Sequence, residues 1–264
     1  MPENIDYLAH LRAESARFAE VLRDAPPDAR VPSCPDWNAD DLLWHLGEVQ
    51  WFWATIVREG VSDPESLEQP NRPTDRAGLL DFFDSASTAL QTTLAETDPA
   101  ETRWTWSKEQ TAGFTRRRQA HEALIHRVDA ELTADAERTV MDQDLCSDGV
   151  DEALRIMFAG VPEWGHIESE PGSTLRIKAS DSGQSWMVTL GRFTGTAPEG
   201  TPHDDPDIIV AETDSGDEAA ATVGGLAADL DCWLWGRPTV GSLERSGDGQ
   251  VNVRFQEIVD QGID

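Results

Sequence analysis

Asp41-Leu42-Leu43-Trp44-His45-Leu46-Gly47-Glu48-Val49-Gln50-Trp51-Phe52-Trp53-Ala54-Thr55-Ile56 sets the first half of the chain apart as helical. Leu42, Leu43, His45, Leu46, Val49, Phe52, Trp53 and Ile56 recur at steps of three and four, which is the apolar stripe of a long amphipathic helix. Asn38 or Asp40 offers the N-cap, and Gly60 a stop. The segment before it, Val31-Pro32-Ser33-Cys34-Pro35-Asp36-Trp37, reads as a loop.

The same period appears on either side. Ile5, Leu8, Leu11, Ser15, Phe18 and Leu22 mark a first helix that ends at Ala25-Pro26-Pro27. A third helix is expected from Asp75 to Glu96 and a fourth from about Phe114 to Ala134, with a Trp-bearing loop from Pro99 to Gly113 between them. Four helices of this length predict an up-down bundle with one or two longer connections.

After Thr139 the period changes. Val150 to Phe158 reads as helix, and Asp142, Asp144, Asp148 and Asp151 read as an acidic linker. Alternating patterns over 174–179, 185–190 and 207–211 predict strands. Asp217 to Trp235 reads as a helix closed by Gly236-Arg237-Pro238, and Val251 to Val259 fits strand or helix. The expected architecture is α plus α+β: a four-helix bundle over residues 1–140 and a small α+β domain over residues 141–264.

Composition narrows the function. The 264 residues carry 50 Asp+Glu against 21 Lys+Arg, a formal net charge of −29. Such a surface repels phosphate backbones and anionic lipid heads, which argues against nucleic-acid and membrane partners. Lys108 and Lys178 are the only lysines, a pattern that fits either a salt-tolerant surface or a habit of composition. Met1-Pro2-Glu3-Asn4 lacks the basic start of a secretory signal, and no apolar run has the roughly 18 residues needed to span a bilayer. Cys34, Cys146 and Cys232 are odd in number and far apart, which excludes a C-x-x-C motif and argues against a disulfide framework. A cytoplasmic protein is expected, with a monomer as its expected state.

The densest chemistry lies in Arg116-Arg117-Arg118-Gln119-Ala120-His121-Glu122-Ala123-Leu124-Ile125-His126-Arg127-Val128-Asp129. His121 and His126 are five apart and diverge by roughly 140° around a helix, so they cannot share an ion on one face. Glu122 and His126 are four apart and can converge. His45, on the apolar stripe of the second helix, would complete a His₂Glu set suited to Zn²⁺ with an open position. The plain alternative is a surface Glu–His pair and a core histidine bonded to a neighbour. Glu48 reads as solvated, and Arg116, Arg117, Arg118 and Arg127 as helix-surface charges. Cys34 reads as a packed loop cysteine.

Three stretches together carry a resemblance. They are Pro32-Ser33-Cys34-Pro35-Asp36-Trp37-Asn38 with Asp41 through Gly47, Arg118-Gln119-Ala120-His121-Glu122 through Glu131, and Ala227-Ala228-Asp229-Leu230-Asp231-Cys232-Trp233-Leu234-Trp235-Gly236-Arg237. In this order they resemble the signatures of the mycothiol-dependent maleylpyruvate isomerase family, within the DinB-like metalloproteins of actinobacteria. The resemblance implies a DinB-like four-helix bundle followed by a domain similar to sterol carrier proteins. It also implies a divalent metal, usually zinc, at positions matching His45, Glu122 and His126, with mycothiol or a similar thiol as cosubstrate. In such isomerases a thiol adds to a cis double bond, the bond rotates, and the thiol leaves.

A thiol with a pKa of about 8.5 is mostly protonated at neutral pH, and metal coordination turns it into the nucleophilic thiolate. Arg237, at the end of the last motif, is the candidate positive group for a substrate carboxylate; capping of its own helix is the alternative. The function expected is a thiol-dependent isomerase or S-transferase acting on a small electrophile. A metal-dependent hydrolase or a non-catalytic ligand-binding protein are the competing readings.

Overall fold

The computed structural model describes residues 5–214 and 216–263, which form two compact units, one up to Val140 and one from Met141 onward. The first is helical: α1 (Tyr7–Asp24), α2 (Ala39–Glu59), α3 (Arg76–Glu96) and α4 (Ala112–Thr133). In it α2 packs on α3 and α1 on α4. The predicted stripes become its core, where Phe18, Leu22, Leu42, Leu43, Leu46 and Phe83 are buried together. Each such side chain contributes about 1.5–3 kcal/mol by leaving water.

Asn38 starts α2 with a capping box. Its side chain accepts from the Asp40 and Asp41 N–H groups, while the Asp41 carboxylate accepts from the Asn38 N–H. At the other end Gly60 turns left-handed at φ 64°, a conformation glycine adopts without a side-chain clash. Asn38→Ala is expected to destabilise the protein by about 1 kcal/mol, measured by urea unfolding. An unchanged midpoint would show that the cap contributes nothing.

Two departures from expectation belong to this unit. The stretch read as a loop before α2 is a small hairpin, β1 (Arg30–Val31) paired antiparallel with β2 (Cys34–Asn38). Two prolines within it removed the alternation that marks a strand. His45, read as core-facing, leaves 31 % of its side chain exposed because it stands at the edge of the buried stripe. In the connection before α4, Trp104 stacks nearly parallel on Trp53 of α2, with ring centroids 6.0 Å apart.

The second unit is α+β. Its elements are α5 (Gln143–Glu152), β3 (Gly165–Ala179), β4 (Ser185–Thr196), β5 (Pro202–Val210), β6 (Ala221–Gly225), α6 (Ala227–Leu234), β7 (Glu244–Gly247) and α7 (Gly249–Val259). The sheet runs β5-β4-β3-β6-β7, antiparallel except for β3 and β6, where Leu175 pairs with Ala221. Leu175, Ile177 and Ala179 are buried at alternate positions of β3, the half-buried period-2 pattern.

This half departs from expectation at two places and decides a third that was open. The acidic stretch 142–151 is no linker: Asp142 caps α5, and Leu145, Cys146 and Val150 are buried on it. Its four aspartates masked an amphipathic face. The helix then widens into π-helical turns over Ala153–Phe158. The segment 217–235 is not one helix, because β6 precedes α6. The undecided segment at 251–259 is α7. No helix among the described residues is long and apolar enough to cross a membrane.

Candidate metal centre

Three donors from two helices of the first unit meet. Glu122 and His126 lie one turn apart on α4, with Nε2 of His126 at 3.1 Å from Oε1 of Glu122. His45 of α2 brings its Nε2 to 3.6 Å from the same oxygen. All three donor atoms lie within 4.8 Å of one another. Around a tetrahedral zinc with bonds of about 2.0–2.1 Å, neighbouring donors stand about 3.3 Å apart, so the spacing and the N/O chemistry fit such an ion.

A second layer holds these donors in place. Asp129 Oδ2 accepts from Nδ1 of His126 at 2.9 Å, which directs Nε2 of that ring toward Glu122. The other Asp129 oxygen accepts from the Ser33 hydroxyl in the hairpin turn. Arg118 donates to Oε2 of Glu122 at 2.7 Å, which leaves Oε1 toward the two histidines. Trp37 of β2 packs on the His45 ring at 4.6 Å and reaches His126 at 6.4 Å. A cavity of about 390 Å³ opens beside His45, walled by Trp37 and Trp44.

The electrostatics follow from these contacts. Burial works against a charged His126 ring, but hydrogen bonds to Asp129 and Glu122 outweigh it and push the pKa up to about 9. Burial likewise opposes a charged Glu122, and Arg118 with the two histidines overcomes it, holding the carboxyl well below the usual carboxylate range. The two shifts together favour a proton held between His126 and Glu122.

The other candidates fall elsewhere. His121 is buried edge-on to Tyr7, with ring centroids 6.2 Å apart. Glu48 lines the cavity but is outside the donor cluster. Arg237 lies just past α6 in the second unit, where its Nη1 donates to the Trp235 carbonyl at 2.6 Å. Cys34, Cys146 and Cys232 are in no disulfide. The surface reading of the arginines fails for two of them: Arg118 is buried on Glu122, and Arg127 is fully buried between Glu14 and Glu131. Asp129, three residues after His126 on the same helix face, is the supporting residue that pattern reading passed over; that spacing was its one signal.

Four helices bearing a His₂Glu donor set, followed by an α+β unit, define a class: a helical-bundle protein with a candidate metal centre and a second domain. The family model described as the mycothiol maleylpyruvate isomerase N-terminal domain matches residues 8–131, and its companion, the MDMPI C-terminal domain, matches residues 144–253. The chain belongs to the mycothiol maleylpyruvate isomerase family. Two solved structures share the fold, the crystal structures of the mycothiol-dependent maleylpyruvate isomerase and of a histidine-to-alanine mutant of it. Each is 14 % identical with a TM-score of 0.58, over 92 % of this chain and 93 % of that chain. No curated protein matches the sequence.

Proposed function

We propose that this protein is a thiol-dependent isomerase or S-transferase that holds a divalent ion, zinc by its donor chemistry, at His45, Glu122 and His126. The observation that supports it is the meeting of these three donors, with Asp129 on the far nitrogen of His126. Such an ion, when bound, keeps a small thiol in its nucleophilic thiolate form at neutral pH. The protein's own groups do the rest. Asp129 fixes the tautomer and tilt of His126, Arg118 fixes the Glu122 carboxylate, and Trp37 packs on the His45 ring and braces it. Arg237 is proposed as the group that receives an anionic end of the electrophile.

Purified protein should retain close to one equivalent of zinc. Less than about 0.2 equivalents, not restored by added metal, would overturn the reading. Turnover of a cis-configured unsaturated acid should require thiol; turnover indifferent to every thiol would favour hydrolysis by activated water instead.

Asp129→Asn removes the carboxylate behind His126 without removing a ligand. It is expected to weaken zinc affinity by about 10- to 100-fold, read by competition with a chelating dye. Affinity equal to that of the wild type would remove Asp129 from the site.

A further inference from the structure

The cavity beside His45 is lined by three carboxylates, Asp36, Asp41 and Glu48, against one guanidinium, Arg72. Arg72 is matched, with Nη2 at 2.7 Å from Oδ1 of Asp41. The second oxygen of Asp41 accepts from the Asn38 N–H at 3.0 Å. Arg30, whose field reaches Asp41, gives its Nη1 to the Pro35 carbonyl at 3.0 Å and is not in the lining. Asp36 and Glu48 have no ion-pair partner among the described residues. Two carboxylates therefore face the cavity without a countercharge.

The remaining walls are flat and apolar. Trp37 lies against the His45 ring at 4.6 Å, and Trp44 is braced against Phe82 at 4.9 Å. A concave site with low-dielectric walls concentrates the field of its charges, and the two unmatched carboxylates give this wall a negative contribution. Indole faces accept neutral groups by contact and cations through the ring quadrupole. An anion gains neither, and it loses hydration on entering.

We infer that this cavity holds the body of the thiol cosubstrate and that Asp36 and Glu48 make it a charge filter, admitting neutral and cationic thiols and holding anionic ones off. This rests on the metal-and-thiol reading above. It makes Asp36 and Glu48 residues that determine specificity; they touch no reacting atom.

The test uses the zinc-loaded full chain labelled with 5-fluorotryptophan, the resonances of Trp37 and Trp44 being assigned with Trp37→Phe and Trp44→Phe. Cysteamine, 2-mercaptoethanol and 3-mercaptopropionate share one spacer and differ in charge, and each is titrated at a single pH. 3-Mercaptopropionate is expected to bind at least about tenfold more weakly than cysteamine, and Asp36→Asn/Glu48→Gln to shrink that ratio to about threefold or less. Each thiol has the same acidity in both proteins, so the change in ratio reads the two carboxylates alone. A ratio that the double variant leaves unchanged overturns the inference, as does tighter binding of 3-mercaptopropionate in the wild type.

Ethylammonium and propionate, titrated into the metal-free protein, repeat the comparison without thiol or metal. If zinc is not retained, the proposed function fails on its own account. The preference for ethylammonium over propionate then still upholds or overturns the filter.

Discussion

Replacing His126 with alanine is expected to lower zinc affinity by about two to three orders of magnitude. The size follows from dividing the roughly 10–16 kcal/mol of a four-ligand zinc site among its ligands, about 2.5–4 kcal/mol each, at 1.4 kcal/mol per decade. Competition against a chelating indicator measures it. Removing a nearly buried ring also leaves a cavity and bares the carboxylate of Asp129, so a fall in stability will accompany the loss of metal. His45→Ala separates the two effects. That side chain is 31 % exposed, so its removal should match the loss of metal with a smaller change in unfolding midpoint. If both variants hold zinc as the wild type does, the three donors are not the site.

The second large effect concerns the scaffold. Arg127→Met is expected to destabilise the protein by about 3–5 kcal/mol, because it strands two carboxylates inside the helical unit. Arg127 is fully buried and donates to Glu14 at 2.7 Å, to Glu131 at 2.8 Å and to the Thr139 carbonyl at 3.1 Å. Glu131, also fully buried, accepts in turn from Arg17 at 3.0 Å. Denaturant unfolding with an unchanged slope reads the loss. Glu14→Leu/Arg127→Met/Glu131→Leu, which removes the charges together, should recover much of it. A mild Arg127→Met phenotype would mean that water reaches this network.

The network also sets an acid limit. Burial raises the Glu131 pKa, but Thr139, Arg127 and Arg17 overcome it and hold the carboxyl below its ordinary 4.5. A folded-state pKa below the unfolded one stabilises the protein fully above about pH 4.5, and that contribution disappears as pH falls through the lower folded value. The stability gap between wild type and Arg127→Met should therefore narrow as the pH falls below 4.5. A gap unchanged down to pH 3 would contradict the charge pairing.

Arg127 also shows where pattern reading stops. Beside Arg116, Arg117 and Arg118 it looks like one more solvated charge, since its partner Glu14 lies 113 positions away on α1. Nothing local announces that a guanidinium will be buried. The same holds for 142–151, where the spacing of Leu145, Cys146 and Val150 was present but outnumbered by acids, and for β6, whose partners β3 and β7 are distant in sequence.

Local pattern alone specified the four long helices, the α+β character of the second half, a cap at Asn38 or Asp40 and the convergence of Glu122 with His126. These depend on residues two to four apart, and an isolated segment already carries that information. It took the packing of distant segments to bring His45 to the same oxygen as His126, to set Ser33 behind Asp129, and to close Glu14 over Arg127. Those contacts join segments far apart in the chain, and they form only when the apolar stripes have packed and fixed which faces of the helices meet.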